Sequence, residues 1–289
     1  MVLGAEKAVR KMNRICDLHT HSIFSDGTYT PTEIILEAVG IGLSAVALCD
    51  HNTVDGIPEF LSAAKNRNIE AIAGAEFSVD YNGTELHLLG LYIPEEKLDV
   101  ISGWMADMTK RKEESNIALV TALNNAGYDL NYWDIKSKSP KGKLNRAHIA
   151  AELTAKGYTE SIQQAFKTLL TKNGGYYTEP KRPTVFEMIA QIKSIGAVAV
   201  LAHPFLNLSE EKLKEFIPIA KACGLDGMEC YYSLYSEDSI KKSVVIATQF
   251  GLKQSGGSDF HGANKPDIRL GFGKGNLRIP YAFVENIKP

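Results

Sequence analysis

Six of the seven histidines in this 289-residue chain are read as lying at or just beyond the carboxyl end of a predicted β-strand. They are His19, His21, His51, His87, His203 and His261. The runs are Ile15 to Leu18, Ala45 to Cys49, Ile69 to Ala73, Leu86 to Ile93, Ala197 to Ala202, Gly227 to Cys230 and Lys253 to Gly256. Between most of them lie helical patterns with apolar residues three to four apart: Pro31 to Gly42, Ile57 to Asn66, Thr184 to Ile195, Ser209 to Cys223 and Glu237 to Phe250. Alternating β and α units predict an α/β fold on a parallel sheet, open or closed. The carboxyl ends of such strands gather at one mouth, where loops from distant parts of the chain can build a single site.

The alternation breaks between Glu95 and Lys181, where helical patterns (Leu98 to Ala126, Ala147 to Lys156, Ser161 to Leu170) run without a strand. This predicts a helical insertion at 95–181 that divides a barrel into a first part, 1–94, and a second, 182–289. Lys136 to Lys143 reads as a polar connector, and Asn173-Gly174-Gly175 as a return turn.

Lys and Arg total 32 against 34 for Asp and Glu, a net charge of -2. No global basic field advertises a stable DNA complex or an anionic membrane surface, so phosphate recognition would have to be local. No run approaches the ~18 apolar residues of a membrane span, and Met1 to Asn13 lacks a secretory core. A cytoplasmic protein is expected. Cys16, Cys49, Cys223 and Cys230 form no CxxC pair and are expected to be small buried apolar residues without disulfides.

His19 and His21 are two apart, as are Asp259 and His261, so each pair projects to one face of an extended strand. Asp26 and Glu76 supply carboxylates nearby. Imidazole with carboxylate suits Mn, Fe or Zn better than Ca or Mg, and the absence of a cysteine ligand argues against structural zinc. A lone strand-end histidine is ordinarily a hydrogen-bonded or surface residue; the agreement of six changes that reading. Asp55 and Asp80 read as turn residues, and Gly256-Gly257 as close backbone packing rather than a phosphate cradle, since no GxxxxGK pattern exists.

His19-Thr20-His21-Ser22 with Asp26-Gly27, then Asp50-His51-Asn52-Thr53, Gly74-Ala75-Glu76, His87, His203-Pro204 and Ser258-Asp259-Phe260-His261 resemble the motif blocks of the PHP (polymerase and histidinol phosphatase) superfamily. The resemblance implies a distorted (β/α)7 barrel and a metal-dependent phosphoesterase with three divalent ions. It implies that His19, His21, Glu76 and Asp259 hold one ion, Glu76, His87 and His203 a second, and Asp26, His51 and His261 a third. Glu76, Asp259 and His203 are the residues assigned to catalysis. A hydroxide generated by the ions would attack phosphorus in line, so no nucleophilic side chain is needed.

The insertion resembles the cap of PHP proteins that remove the 3′-phosphate of nucleoside 3′,5′-bisphosphates, and of relatives that trim short RNA from its 5′ end. Asn145-Arg146-Ala147-His148-Ile149-Ala150 is similar to a cap motif whose arginine binds substrate phosphate, with Ala147 where a proline often stands. Arg146 and His148 are the expected substrate contacts, and a small phosphorylated nucleotide or RNA end the expected partner. The bland alternatives are a helix-entry charge for Arg146 and a polar helix face for His148. Lys136, Lys138, Lys141 and Lys143 are solvated loop lysines or a phosphate track, and Tyr176 and Tyr177 core residues or base-stacking ones. Histidinol phosphate hydrolysis shares the cluster but needs no such insertion. A metal amidohydrolase would be expected to show a bridging lysine at a strand end. A regulatory module would be expected to lack ligands. Oligomeric state is not legible.

Overall fold

The structure, a computed structural model, describes residues 14–139 and 144–289. It divides into two compact units: the chain up to Gly103 together with Arg182–Pro289, and Trp104–Lys181.

The first unit is an α/β barrel. Its strands are β1 (Ile15–Thr20), β2 (Ala45–Leu48), β3 (Glu70–Tyr81), β4 (Thr84–Leu91), β5 (Val198–Leu201), β6 (Gly227–Tyr232), β7 (Lys253–Gly257) and a two-residue β8 (Ile279–Pro280). They hydrogen-bond in the order β7-β6-β5-β4-β3-β2-β1-β8. At the mouth, the chain leaving β7 closes the circle: the Asp259 amide donates to the His19 carbonyl and the His21 amide to the Phe260 carbonyl, both at 2.9 Å. At the opposite end β8 pairs antiparallel with Ile15 and Cys16. Seven strands thus form the barrel wall, with the eighth filling the seam.

Alternation explains the core. Ala45, Ala47 and Cys49 of the β2 run, Leu89 and Leu91 of β4, and Val198, Val200 and Ala202 of the β5 run join Cys16, Leu18 and Ile72 in one buried apolar cluster. Cys16, Cys49 and Cys230 are buried as small apolar side chains. Helices α1 (Pro31–Gly40), α2 (Ile57–Ala64), α7 (Val185–Ser194), α8 (Glu210–Ala222) and α9 (Glu237–Gln249) follow their strands. Thr30 with Glu33 and Thr184 with Glu187 make reciprocal capping boxes, satisfying the first free amides of α1 and α7.

The expectation of a parallel sheet needs correction. The sheet is mixed: β4 runs antiparallel to both β3 and β5. The reason lies in Asn82-Gly83, which joins β3 to β4 in a tight turn; both residues have positive φ, and the Asp80 carboxylate accepts the Gly83 amide. There is no room for a crossover helix, so the fourth strand must reverse. In consequence His87 lies early in β4, not at its carboxyl end, and reaches the mouth because β4 points the other way. Glu76, outside the run Ile69 to Ala73 read from the sequence, lies within the twelve-residue β3.

The second unit is helical, built from the remainder of α3 (Leu98–Asn125), α4 (Tyr132–Lys138), α5 (Arg146–Ala155) and α6 (Ile162–Thr168). Leu119, Leu123, Leu130, Ile149, Leu153 and Leu170 form its own core. Tyr177 is buried in that core and Tyr176 packs against it. Lys136 and Lys138 lie in α4 rather than in a loop, paired with Glu113 and Glu152, while Lys141 and Lys143 fall outside the described residues.

Candidate metal centre

The nine residues His19, His21, Asp26, His51, Glu76, His87, His203, Asp259 and His261 come together at the barrel mouth. Five imidazoles surround one carboxylate. Glu76 Oε1 lies 2.8 Å from His87 Nδ1 and 3.0 Å from His203 Nε2. Its Oε2 lies 2.9 Å from His51 Nδ1, 3.3 Å from His19 Nε2 and 3.4 Å from His21 Nε2. Asp259 Oδ1 is 3.1 Å from His21 Nε2, and Asp26 Oδ1 is 3.2 Å from His261 Nε2.

Local backbone explains the convergence. The chain beyond β2 stays alongside β3: the Asn52 amide donates to the Glu76 carbonyl and the Glu76 amide to the Asp50 carbonyl. This holds His51 over Glu76. His203 (φ 27°) and Asp259 (φ 57°) both adopt the left-handed region, a conformation costly for a side chain with a Cβ and typical of functional sites. Gly257 permits the closure, because a Cβ there would overlap the Cβ of His19 and stand 2.6 Å from its backbone nitrogen. The close-packing reading of Gly256-Gly257 therefore holds.

Burial and mutual charge shift the groups of this cluster in opposite directions. Burial alone would raise the Glu76 carboxyl, yet the imidazoles of His51, His87 and His19 hold it well below the usual range. His87 responds in the opposite sense: burial would lower it, but the Glu76 carboxylate outweighs this and pushes it up to about 10. Burial, aided by the charge of His51, lowers His21 to about 3.

Several buried polar atoms are left without hydrogen-bond partners: His19 Nε2, His21 Nδ1 and Nε2, Glu76 Oε2 and His203 Nδ1. Such atoms cost free energy unless something pairs with them. Among the described residues, four overlapping groups of side chains could each hold a metal ion: His21, Asp26, His51 and His261; His19, Glu76 and His203; His19, His21 and Asp259; and His51, Glu76 and His87. Within each, the donor atoms lie within 4.8 Å of one another. The nitrogen and oxygen donor set fits a divalent transition metal.

Sequence reasoning missed the carboxylates that hold this arrangement. Asp50 accepts the Ser22 amide at 2.7 Å and the Ser22 and Ser25 hydroxyls at 2.6 Å, pinning the loop that carries Asp26. Asp17 accepts the Ser258 amide and hydroxyl and the Gly271 amide. Glu229, fully buried in β6, lies 3.0 Å from His19 Nδ1 and accepts the His203 amide at 2.8 Å. Tyr232 donates to Asp259 Oδ2, which also pairs with Lys265. A charged residue inside an apolar strand run, as at Asp17 and Glu229, was the signal available.

The two expected substrate contacts lie in the helical unit. Arg146 donates to the Leu170 carbonyl at 3.0 Å, with its guanidinium 4.2 Å from the centre of the Tyr177 ring. It borders a cavity of about 390 Å³ with Phe166, Asn173 and Glu179. The α5 start is fixed by Asn145, whose side chain accepts the Ala147 and His148 amides. His148 Nδ1 accepts the Asn145 amide in return, so that nitrogen is committed to the cap.

Comparisons with known proteins bear on the class of protein to which this fold belongs. The chain is 32% identical over 251 residues to a 5′-3′ exoribonuclease of Haemophilus influenzae, covering 86% of this chain and 91% of that protein. It is 30% identical to a 3′,5′-nucleoside bisphosphate phosphatase of Chromobacterium violaceum, covering 85% and 86%. Among solved structures, a candidate metal-dependent phosphoesterase from Bifidobacterium adolescentis matches with a TM-score of 0.76 and 28% identity, over 95% of both chains. A Chromobacterium violaceum structure described as an amidohydrolase with bound sulfate matches with a TM-score of 0.74 and 27% identity, over 91% of this chain and 97% of that one. Fold, site and relatives together define a metal-dependent phosphoesterase, a hydrolase of phosphate esters. The chain belongs to the PHP domain family, whose model matches residues 17–222.

Proposed function

We propose that the protein hydrolyses a phosphate monoester, the 3′-phosphate of nucleoside 3′,5′-bisphosphates, at a site that holds three divalent ions. The observation that carries this reading is the set of buried, unpartnered donor atoms around Glu76. His19, His21, Glu76 and Asp259 would hold one ion, Glu76, His87 and His203 a second, and Asp26, His51 and His261 a third. When bound, such ions supply Lewis acidity and a water acidic enough to act as nucleophile near neutral pH.

The chain's own residues organise that chemistry. Glu76 presents both oxygens to opposite sides of the cluster, which suits a bridging role. Tyr232 and Lys265 occupy Asp259 Oδ2, leaving Oδ1 toward His19 and His21. The Asp26 side chain is 47% exposed, so its edge of the cluster is open to an incoming phosphate. Three carboxylates among nine donors leave a net positive centre once three divalent ions are present, suited to a phosphate dianion. Mn, Fe and Zn are the candidate metals.

The choice of a bisphosphate nucleotide is supported by the Chromobacterium relative. The Haemophilus relative favours a second reading, 5′-3′ hydrolysis of short RNA. The two substrates differ in what the scissile phosphate carries: nothing further, or the rest of a strand. Arg146 and His148 are proposed as substrate contacts in either case, Arg146 through guanidinium nitrogens other than the one given to Leu170.

The test is phosphate release by Mn-loaded protein from adenosine 3′,5′-bisphosphate, 3′-AMP and histidinol phosphate, with release of mononucleotides from a 5′-phosphorylated short RNA in parallel and Glu76→Ala as control. Release from the bisphosphate, preferred over 3′-AMP and abolished in the variant, supports the proposal. Cleavage of RNA alone moves the function to the second reading. Silence on every phosphoester, with metal content verified, overturns both.

A further inference from the structure

Glu229 lies outside all four groups of potential metal-holding residues, yet both its oxygens are committed to members of them. Oε1 stands 3.0 Å from His19 Nδ1, and Oε2 accepts the backbone N–H of His203 at 2.8 Å. The residue is fully buried in β6. With the carboxylate as acceptor at both contacts, His19 Nδ1 carries the hydrogen between the two side chains. That leaves Nε2 as the nitrogen available to a metal, and Nε2 is the atom that faces Glu76 and Asp259 without a hydrogen-bond partner. At the second contact, Glu229 holds the amide of a residue whose φ of 27° is strained, which is what presents the His203 ring to Glu76 at 3.0 Å. The two rings stack, with centroids 5.7 Å apart.

We propose that Glu229 is a positioning residue for the metal centre, one carboxylate that sets the tautomer of His19 and the backbone of His203 at the same time. Histidine ligands commonly donate their second ring nitrogen to a carboxylate, which fixes ring orientation and raises ligand basicity. Here that device also ties together two parts of the barrel, because His19 comes from β1 and His203 from the chain just after β5. The inference rests on the reading of both histidines as metal ligands.

Glu229→Gln is the decisive substitution because it keeps shape and volume. Its amide has one accepting oxygen where the carboxylate had two, so it can serve the His203 N–H or the His19 Nδ1–H but not both. If the oxygen stays with His203, the amide NH2 faces His19 Nδ1 and favours the tautomer with hydrogen on Nε2, the form that cannot bind metal through Nε2. Removal of such an outer partner lowers metal affinity by roughly 10–100-fold.

The experiment is zinc binding to metal-stripped wild-type and Glu229→Gln proteins by chelator competition, well below the unfolding temperature of each, with near-UV circular dichroism as the check on fold. A 10- to 100-fold weaker affinity in a variant with a wild-type spectrum is the expected result. Equal affinity overturns the proposal while leaving the metal centre intact. Failure of the wild type itself to bind zinc overturns the ligand reading and this inference with it. Should Glu229→Gln not fold, ¹⁵N spectra of histidine side chains in the zinc-loaded wild type decide the matter: His19 protonated at Nδ1 with Nε2 on the metal is expected, and the opposite tautomer would sink the idea.

Discussion

Glu76 and His87 are a diagonal pair across an antiparallel ladder, joined at 2.8 Å even though Glu76 sits opposite Leu89 and His87 opposite Ser78. Residues two apart on a strand share a face, so the β3–β4 hairpin brings a carboxylate and an imidazole within reach without any loop. Ser78 is hydrogen-bonded to Asn52 instead. Because His203 approaches the same Glu76 oxygen from β5, His87→Ala should remove one ion per protein rather than all of them. Metal content by elemental analysis checks this; loss of every ion would show that the centre assembles as a unit. Activity should fall by more than the roughly 10–100-fold typical of losing an outer partner.

Metal uptake should release protons. His87 titrates at about 10 in the metal-free cluster, with Glu76 outweighing its burial, so it is protonated at pH 8 and must lose that proton to coordinate. Affinity should therefore rise with pH, and the binding enthalpy should depend on the ionisation enthalpy of the buffer. An enthalpy independent of buffer would contradict the coupling.

The metal-free protein should behave in a complementary way. The folded value for His87 lies above the ordinary imidazole value of 6.5, so its contribution to stability is full below that value and is lost as pH rises through about 10. His19 and His51 are raised as well, burial being outweighed by Glu229 and Glu76 for His19 and by Glu76 for His51, and act in the same direction. Urea unfolding of stripped protein should show stability falling from pH 7 to pH 10. A rise over that interval would contradict the sign.

Asp50→Ala should destabilise the fold without touching a proposed ligand. Three donors, the Ser22 amide and the hydroxyls of Ser22 and Ser25, would lose a buried charged acceptor. The cost is on the order of 3 kcal/mol, read from the midpoint of urea unfolding. A loss below about 1 kcal/mol would mean that water or a shifted loop replaces the carboxylate.

Gly257→Ala tests the barrel closure. The new Cβ would fall on His19, whose backbone is already fixed by the Asp259 amide. Overpacking of this kind costs about 1–3 kcal/mol, and more where backbone must move. The variant should lose metal affinity as well as stability, since β1 would have to shift. Gly83→Ala, with open space around its Cβ but φ of 81°, should cost stability alone.

Much of this architecture was legible before any coordinates. Strand-end histidines reveal the site because imidazoles at the rim of an apolar barrel need a polar purpose, and periodicities of two and of three to four residues separate strand from helix. The helical break after residue 95 reads as an insertion for the same reason. Reversal of β4 was hidden, because alternation and apolar runs carry no information about strand direction. The turn that enforces it, Asn82-Gly83, was present in the sequence, and its positive-φ chemistry was the signal available.

By itself, then, the sequence determined the chemistry on offer: imidazoles and carboxylates, drawn from both parts of the barrel, of a kind that can hold a divalent ion. Tertiary structure decided what those side chains do to one another. That Glu76 lies within reach of five imidazoles, and that Glu229 grips two of the elements supplying them, follows from barrel closure across more than two hundred residues. Pairings at such separations depend on strand order, direction and register, which arise from packing the whole core and not from any local stretch of chain.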